Sequence, residues 1–210
     1  MKKVLAVVLF VVFAASLASA ELLTTANSVG KGKWAFLGSG LQDQNFGNSS
    51  VTSLTTIGGY IGYGINEKLD AYFQAGQSTI SGVSSTGTGM GLNLKYTMLE
   101  EGRDVPVTVA AGAGYKSMNW STGTNGSQLS LAAGISRVWS YVIPYSGLAY
   151  RKNSVSGNDI SSQIDLTVGS AVPWQNMGAF FVEYTLQTIT PNGASNYSSS
   201  QIGAGFGTRL

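Results

Sequence analysis

Residues 52–80 read TSLTTIGGYIGYGINEKLDAYFQAGQSTI, two runs of roughly a dozen residues on either side of the short polar turn Asn66-Glu67-Lys68. In the second run Leu69, Ala71, Phe73 and Ala75 fall on one face of an extended strand, and Asp70, Tyr72, Gln74 and Gly76 on the other. A period of two is a strand signal, because successive side chains point to opposite faces of the pleat. The length narrows the reading further. Soluble strands cluster near about 5–6 residues, whereas a tilted strand crossing a bilayer needs about 9–11. A long alternating hairpin closed by a minimal turn predicts a membrane barrel.

Outward from this hairpin, the N-terminus is a separate matter. Lys2 and Lys3 precede an apolar stretch from Val4 to Ala15, and Ser16-Leu-Ala-Ser-Ala20 ends it with small residues in an A-x-A pattern. This order predicts a secretory signal peptide over residues 1–20, cleaved on export. The competing reading, an uncleaved anchor, needs about 20 apolar residues, more than this stretch supplies. Cys is absent, which excludes a lipid-bearing Cys, a disulfide frame and thiolate metal sites. Lys and Arg number 12 against 10 Asp and Glu, and loss of Lys2 and Lys3 leaves 10 against 10. A neutral chain has no basic face for nucleic acid. Only 10% of the residues are charged, against about 25% in an average soluble domain.

After a lead-in over residues 21–30, expected to lie loose in the periplasm, residues 31–210 form one predicted domain. Ten strands are expected, near residues 31–41, 52–65, 69–80, 88–98, 105–117, 127–137, 141–151, 160–172, 178–189 and 200–210. Two facings stay open: in the first strand Trp34/Phe36 and Ala35/Leu37 are both plausible outward sets, and the seventh shows no clear parity. Short turns alternate with longer Ser/Asn/Gly/Thr stretches near 43–50, 81–87, 119–126, 152–159 and 190–199. Bacterial outer-membrane barrels have short periplasmic turns, longer outside loops and an even strand number. The predicted fold class is therefore all-β, an antiparallel up-and-down transmembrane barrel of ten strands, with eight as the alternative count and a soluble secreted β-sandwich as the alternative architecture.

In hydrocarbon every backbone amide must be paired, so such strands persist only as a closed barrel, apolar outside and free to be polar inside. Asp70, Lys95, Lys116, Asp165, Glu183 and Arg209 each fall on the polar parity of their strand, three of each sign. They are the expected lumen charge network, and their balance predicts a narrow or plugged barrel. Glycines at 91, 112, 114, 134, 169, 203, 205 and 207 pull the other way, by leaving lumen space or relieving bending. Trp34, Tyr63, Tyr96, Trp139 and Trp174 are expected at the periplasmic interface. Tyr115 and Tyr150 are expected at the outer one, with Trp120 and Tyr197 in the loops beyond, as aromatic girdles.

The signal peptide, the IGYGINEKLDAYFQAG hairpin and the terminal strand SQIGAGFGTRL together resemble the small bacterial outer-membrane β-barrel proteins, the OmpA-like and related families. The resemblance implies an integral protein of the bacterial outer membrane, in contact with its lipid and inserted by the barrel-assembly machinery. It also implies that the last strand carries the assembly signal, here Ile202, Ala204, Phe206 and Leu210. Leu210 stands where those families usually close on an aromatic residue, and Thr208 interrupts the apolar face.

Catalytic chemistry finds little purchase. Histidine is absent, which removes His-dependent triads and the usual zinc and copper ligands and counts against an omptin-like protease. Asp165 and Glu183 are the one tempting carboxylate pair, expected on diagonal positions of adjacent strands. Gly87–Gly91 (GTGMG) lacks the strand-then-helix context of a phosphate loop. The sequons at Asn48, Asn119, Asn125 and Asn196 fall in expected outside loops and read as solvated loop chemistry. No enzymatic activity and no cofactor are expected. The expected function is a narrow passive channel for small solutes or a structural envelope protein, with surface recognition or adhesion through the outside loops as the alternative.

Overall fold

The computed structural model describes residues 25–44, 53–81, 85–174 and 178–210. The expected signal peptide, residues 21–24 of the lead-in and the sequon at Asn48 lie outside the described residues. Ten strands are present: β1 (Trp34–Gln44), β2 (Ser53–Gly64), β3 (Leu69–Ser81), β4 (Ser85–Leu99), β5 (Thr108–Trp120), β6 (Asn125–Ser136), β7 (Ile143–Val155), β8 (Asn158–Trp174), β9 (Gly178–Pro191) and β10 (Tyr197–Arg209). Each pairs antiparallel with its neighbours in the chain, and β1 pairs with β10 to close the barrel. The fold is an all-β, up-and-down barrel of ten strands, with both described chain ends at the same rim, here called the terminal rim.

Alternation decides which side chains face in. Phe73, Leu94, Leu131, Leu166, Val182 and Ile202 all point outward and are exposed, while Gln74, Asn93, Gln128, Gln163, Thr185 and Gln201 on the same strands are buried. This inverts the burial of a water-soluble protein. Soluble monomers rarely expose contiguous apolar patches beyond a few hundred Å², and here the apolar surface encircles the molecule. Strands β1 and β7 follow the rule: Trp34 and Phe36 face outward, as do Leu148 and Tyr150, with Leu41, Asp43, Ala149 and Arg151 inside.

Two expectations about boundaries are corrected. The fifth strand starts at Thr108, not Val105, because Pro106 supplies no backbone N–H to a ladder and restricts the residue before it. The Ser/Thr/Asn-rich stretches expected as long loops belong largely to the strands, β8 alone running 17 residues. Only 121–124, 156–157 and 192–196 connect β5–β6, β7–β8 and β9–β10. At the terminal rim 100–107 and 137–142 are longer than all three, so the expected alternation of loop length does not hold among the described connections. Polar side chains leave backbone pairing intact, so they mark a strand end beyond the apolar belt rather than a loop. Ser156 and Gly157 close β7 to β8 with φ of 49° and 82°, the two-residue turn with both φ positive that favours a hairpin.

The aromatic expectation divides by rim. At the terminal rim Trp34 lies 4.9 Å from Tyr63 between ring centroids, and Phe180 bridges Trp174 at 5.9 Å and Phe206 at 4.8 Å. At the opposite rim Tyr115 and Tyr150 point outward, but Trp120 ends β5 on its inner face and is buried, and Tyr197 starts β10 half-buried against Ile189. The strands run further than expected, so the period of two carries both rings inward.

Candidate functional site: the occupied lumen

The lumen is organised from its terminal rim. Residues 25–33 form a strap that runs across this mouth before entering β1. Gly30 and Gly32 adopt φ of 89° and 74°, a conformation that L side chains avoid, and turn the chain into the wall. The approach is close: a Cβ on Gly64 would overlap the carbonyl oxygen of Gly30, and Gly32 N–H donates to Gly64 O at 2.8 Å. The strap is anchored, which corrects the expected loose lead-in. Asp70 is fully buried and accepts from Val29 N–H at 3.1 and 3.0 Å and from Ser28 Oγ at 2.9 Å. Lys95 pairs with Asp70 at 3.4 Å and donates to Asn27 O at 2.7 Å. Thr97 Oγ1 donates to Ala26 O, and Ala26 N–H donates to Ser136 Oγ, both at 3.1 Å. Ala26 and Val29 are buried as a result. Arg209 reaches the carbonyls of Ser28 and Val29 at 3.4 Å each.

Further in, polar side chains link across strands. Arg151 pairs with Asp165 at 2.8 Å, and both side chains are 1% exposed. Asp165 also accepts from Gln163 at 2.6 Å. Gln128 donates to Asn153, which donates to Ser161. Gln201 donates to Asp43, and Ser199 to Gln187. Thr167 and Thr185 share a hydrogen bond at 2.8 Å. Glu183 accepts from Tyr145 O–H at 3.0 Å, and Lys116 is buried on β5 opposite Gly91 and Gln128.

The six charges singled out from the sequence all lie on the inner parity. They do not form one network. Asp70, Lys95 and Arg209 gather at the strap, whereas Asp165 is held by Arg151 in the other half. The diagonal Asp165–Glu183 pair is corrected: Asp165 faces Gln187, and Glu183 faces Gly169, four residues along β8. At about 3.3 Å per residue the offset is about 13 Å, too far to share a proton. Asp43 and Arg151 are inner charges that sequence reading missed. Asp43 fell in a supposed loop, and the parity of β7 was unread; extending both strands by the period of two identifies them. One is acidic and one basic, so the interior stays balanced.

Gly91, Gly114, Gly169, Gly203, Gly205 and Gly207 do not leave open lumen, which corrects that reading for these six. A Cβ on Gly169 would lie 2.4 Å from the Tyr145 ring, on Gly114 within contact of Asn93 and Ser130, and on Gly91 2.5 Å from Gln74. Each glycine seats a neighbour's side chain. On the last strand Ile202 and Ala204 point outward, Phe206 packs against Phe180, and Leu210 exchanges two backbone hydrogen bonds with Trp34.

No protein-family model and no curated protein matches the sequence. Solved structures do. The β domain of the Bordetella autotransporter BrkA is similar at a TM-score of 0.52 and 12% identity, over 84% of this chain and 98% of that one. The translocator domain of the autotransporter NalP from Neisseria meningitidis matches at 0.45 and 14%, over 86% and 89%. OmpT, expressed in the outer membrane of Vibrio cholerae, matches at 0.40 and 12%; the similarity covers 86% of this chain and 62% of that protein's length. The chain has the fold of outer-membrane β-barrels.

Proposed function

We propose that the protein is a small integral outer-membrane barrel, of the kind the OmpA-like families represent, that serves the envelope as a closed structural element and does not conduct solutes while its strap is seated. The observation that carries this is the strap itself. Residues 26–29 are hydrogen-bonded to Asp70, Lys95, Thr97 and Ser136 across the terminal mouth, below an interior filled by paired polar side chains. A seated strap and side chains interlinked across the interior favour the closed reading over the narrow channel.

In this reading the apolar belt meets outer-membrane lipid, and the terminal rim, where an even strand number places both ends, faces the periplasm as in bacterial outer-membrane barrels. The chain arrives there by export behind a cleaved signal peptide. The outward row of Ile202, Ala204 and Phe206, with Leu210, serves the barrel-assembly machinery. Neither enzymatic activity nor a cofactor belongs to the reading, since Asp165 is neutralised by Arg151 and Glu183 is separated from it. Adhesion through the opposite rim is not favoured, because its described connections span only two to five residues.

The test is planar-bilayer conductance of the refolded chain, with heat-modifiable gel mobility confirming the barrel. Silence from a folded barrel is expected. Discrete, reproducible current steps from the unmodified chain would overturn the closed-lumen reading.

A further inference from the structure

Beside the strap, inside the wall, lies a chamber of about 390 Å³, within the about 300–1,000 Å³ of small-molecule sites. Interiors of outer-membrane barrels are characteristically polar. This one is apolar on one side, where Leu41, Tyr145, Ala171 and Phe181 pack together with Leu37 and Ile143 against them. The inner face of β10 explains how. A Cβ on Gly205 would lie 2.5 Å from the Phe181 ring, and one on Gly207 would lie 2.7 Å from Leu37. Those glycines let side chains of β1 and β9 fold over β10 and form an apolar wall; Tyr60 stands beside Leu37 on β2, and Tyr72 and the strap complete the lining.

Arg209 and strap residues 27–29 line both this chamber and a vestibule at the terminal rim, which Lys33, Glu67, Glu100 and Glu101 also line. Charge in the vestibule is divided. Arg209 pairs with Ala35, and Lys33 lies two residues earlier on the same inner parity, its stem packed over Gly30. The cations therefore share the β1–β10 side, above the apolar wall. Glu67 belongs to the β2–β3 turn, and Glu100 and Glu101 to the β4–β5 connection. Arg209 holds the strap carbonyls only at 3.4 Å, beyond the usual range for N–H donors, so a better acceptor can displace them.

We propose that this chamber binds a fatty carboxylate, its hydrocarbon chain against Leu37, Tyr60, Ala171 and Phe181 and its carboxylate on Arg209 and Lys33. A guanidinium fork matches a carboxylate with two parallel hydrogen bonds. At roughly 30 Å³ per heavy-atom group, the share of a water molecule in the liquid, the chamber holds about a dozen groups. The ligand is thus a medium-length chain entering from the terminal rim. The proposal rests on the closed membrane barrel proposed above.

The experiment uses the full chain in lipid nanodiscs, folded by heat-modifiable mobility, and dodecanoic acid carrying a diazirine near its chain end. After illumination, labelled residues are mapped by mass spectrometry. Inner and outer residues alternate, so parity reports the site: Leu37 and Phe181 line the chamber, whereas Val172 and Val182 point outward. Saturable labelling of Leu37 and Phe181 is expected, competed by dodecanoate well below the concentration at which dodecanol competes. Arg209→Ala is expected to weaken it roughly tenfold, the effect of losing a charge-assisted hydrogen bond. Ala171→Trp, filling the chamber, is expected to abolish inner labelling and spare the outer residues. Labelling confined to Val172 and Val182 would overturn the proposal and leave the membrane reading standing. Equal competition by the alcohol and the carboxylate would overturn the headgroup assignment. A chain labelled on neither face would overturn the membrane reading as well.

Discussion

Arg151 and Asp165 show how much a single inner residue decides. Both are almost fully buried at 2.8 Å, and removing one partner strands the other charge away from water. Arg151→Met is expected to destabilise the barrel by about 3–5 kcal/mol, read as a lower urea midpoint for loss of the heat-modifiable form. The double variant Arg151→Met/Asp165→Leu is expected to recover most of that, since no orphan charge is left. A double variant as weak as the single one would deny the pair its role. Gly169 makes the complementary case through space alone. Gly169→Val pushes into the Tyr145 ring, 2.4 Å from the new Cβ, and is expected to cost about 1–3 kcal/mol. Gly38→Ala, with nothing within 4 Å of its Cβ, is expected to be neutral in the same assay. Asp165 was legible as an inner charge from parity; its partner was not, because pairing across strands depends on register, which one strand's alternation does not contain.

At the scale of the element, the strap is the part the sequence concealed. Its residues show no period of two, and their backbone groups are satisfied by side chains of β3, β4 and β6 rather than by a ladder. Asp70 is the hub of that arrangement, holding Val29 N–H, Ser28 Oγ and Lys95 together. Asp70→Ala is expected to release the strap and leave the wall intact. Limited proteolysis of the folded protein should then cut within residues 25–30 roughly tenfold faster, in keeping with loss of hydrogen bonds to a charged group, while heat-modifiable mobility persists. Unchanged cleavage would mean that the remaining contacts to Lys95, Thr97 and Ser136 hold the strap unaided. Strand ends were misread for a related reason. Ser, Thr and Asn are poor predictors of where pairing stops, because the ladder uses backbone groups and the hairpins continue past the apolar belt.

For the whole molecule, the decisive property is the inversion of inside and outside. Hydrocarbon contains no partner for an open strand edge, so a set of long strands, apolar on one parity, has closure as its physical solution, and β1 meets β10. That much the sequence by itself determined: ten strands, the side-chain directions outside the first and seventh of them, and the inner location of Asp70, Lys95, Lys116, Asp165, Glu183 and Arg209. Alternation is a local property, carried by each strand separately. Only the tertiary structure decided that polar side chains interlink across the lumen, that Arg151 answers Asp165, that Gly91, Gly114 and Gly169 seat neighbouring side chains, and that the strap crosses the terminal mouth beside an apolar chamber. These depend on register and on which strands face each other across the barrel, relations between distant residues that no stretch of sequence holds alone.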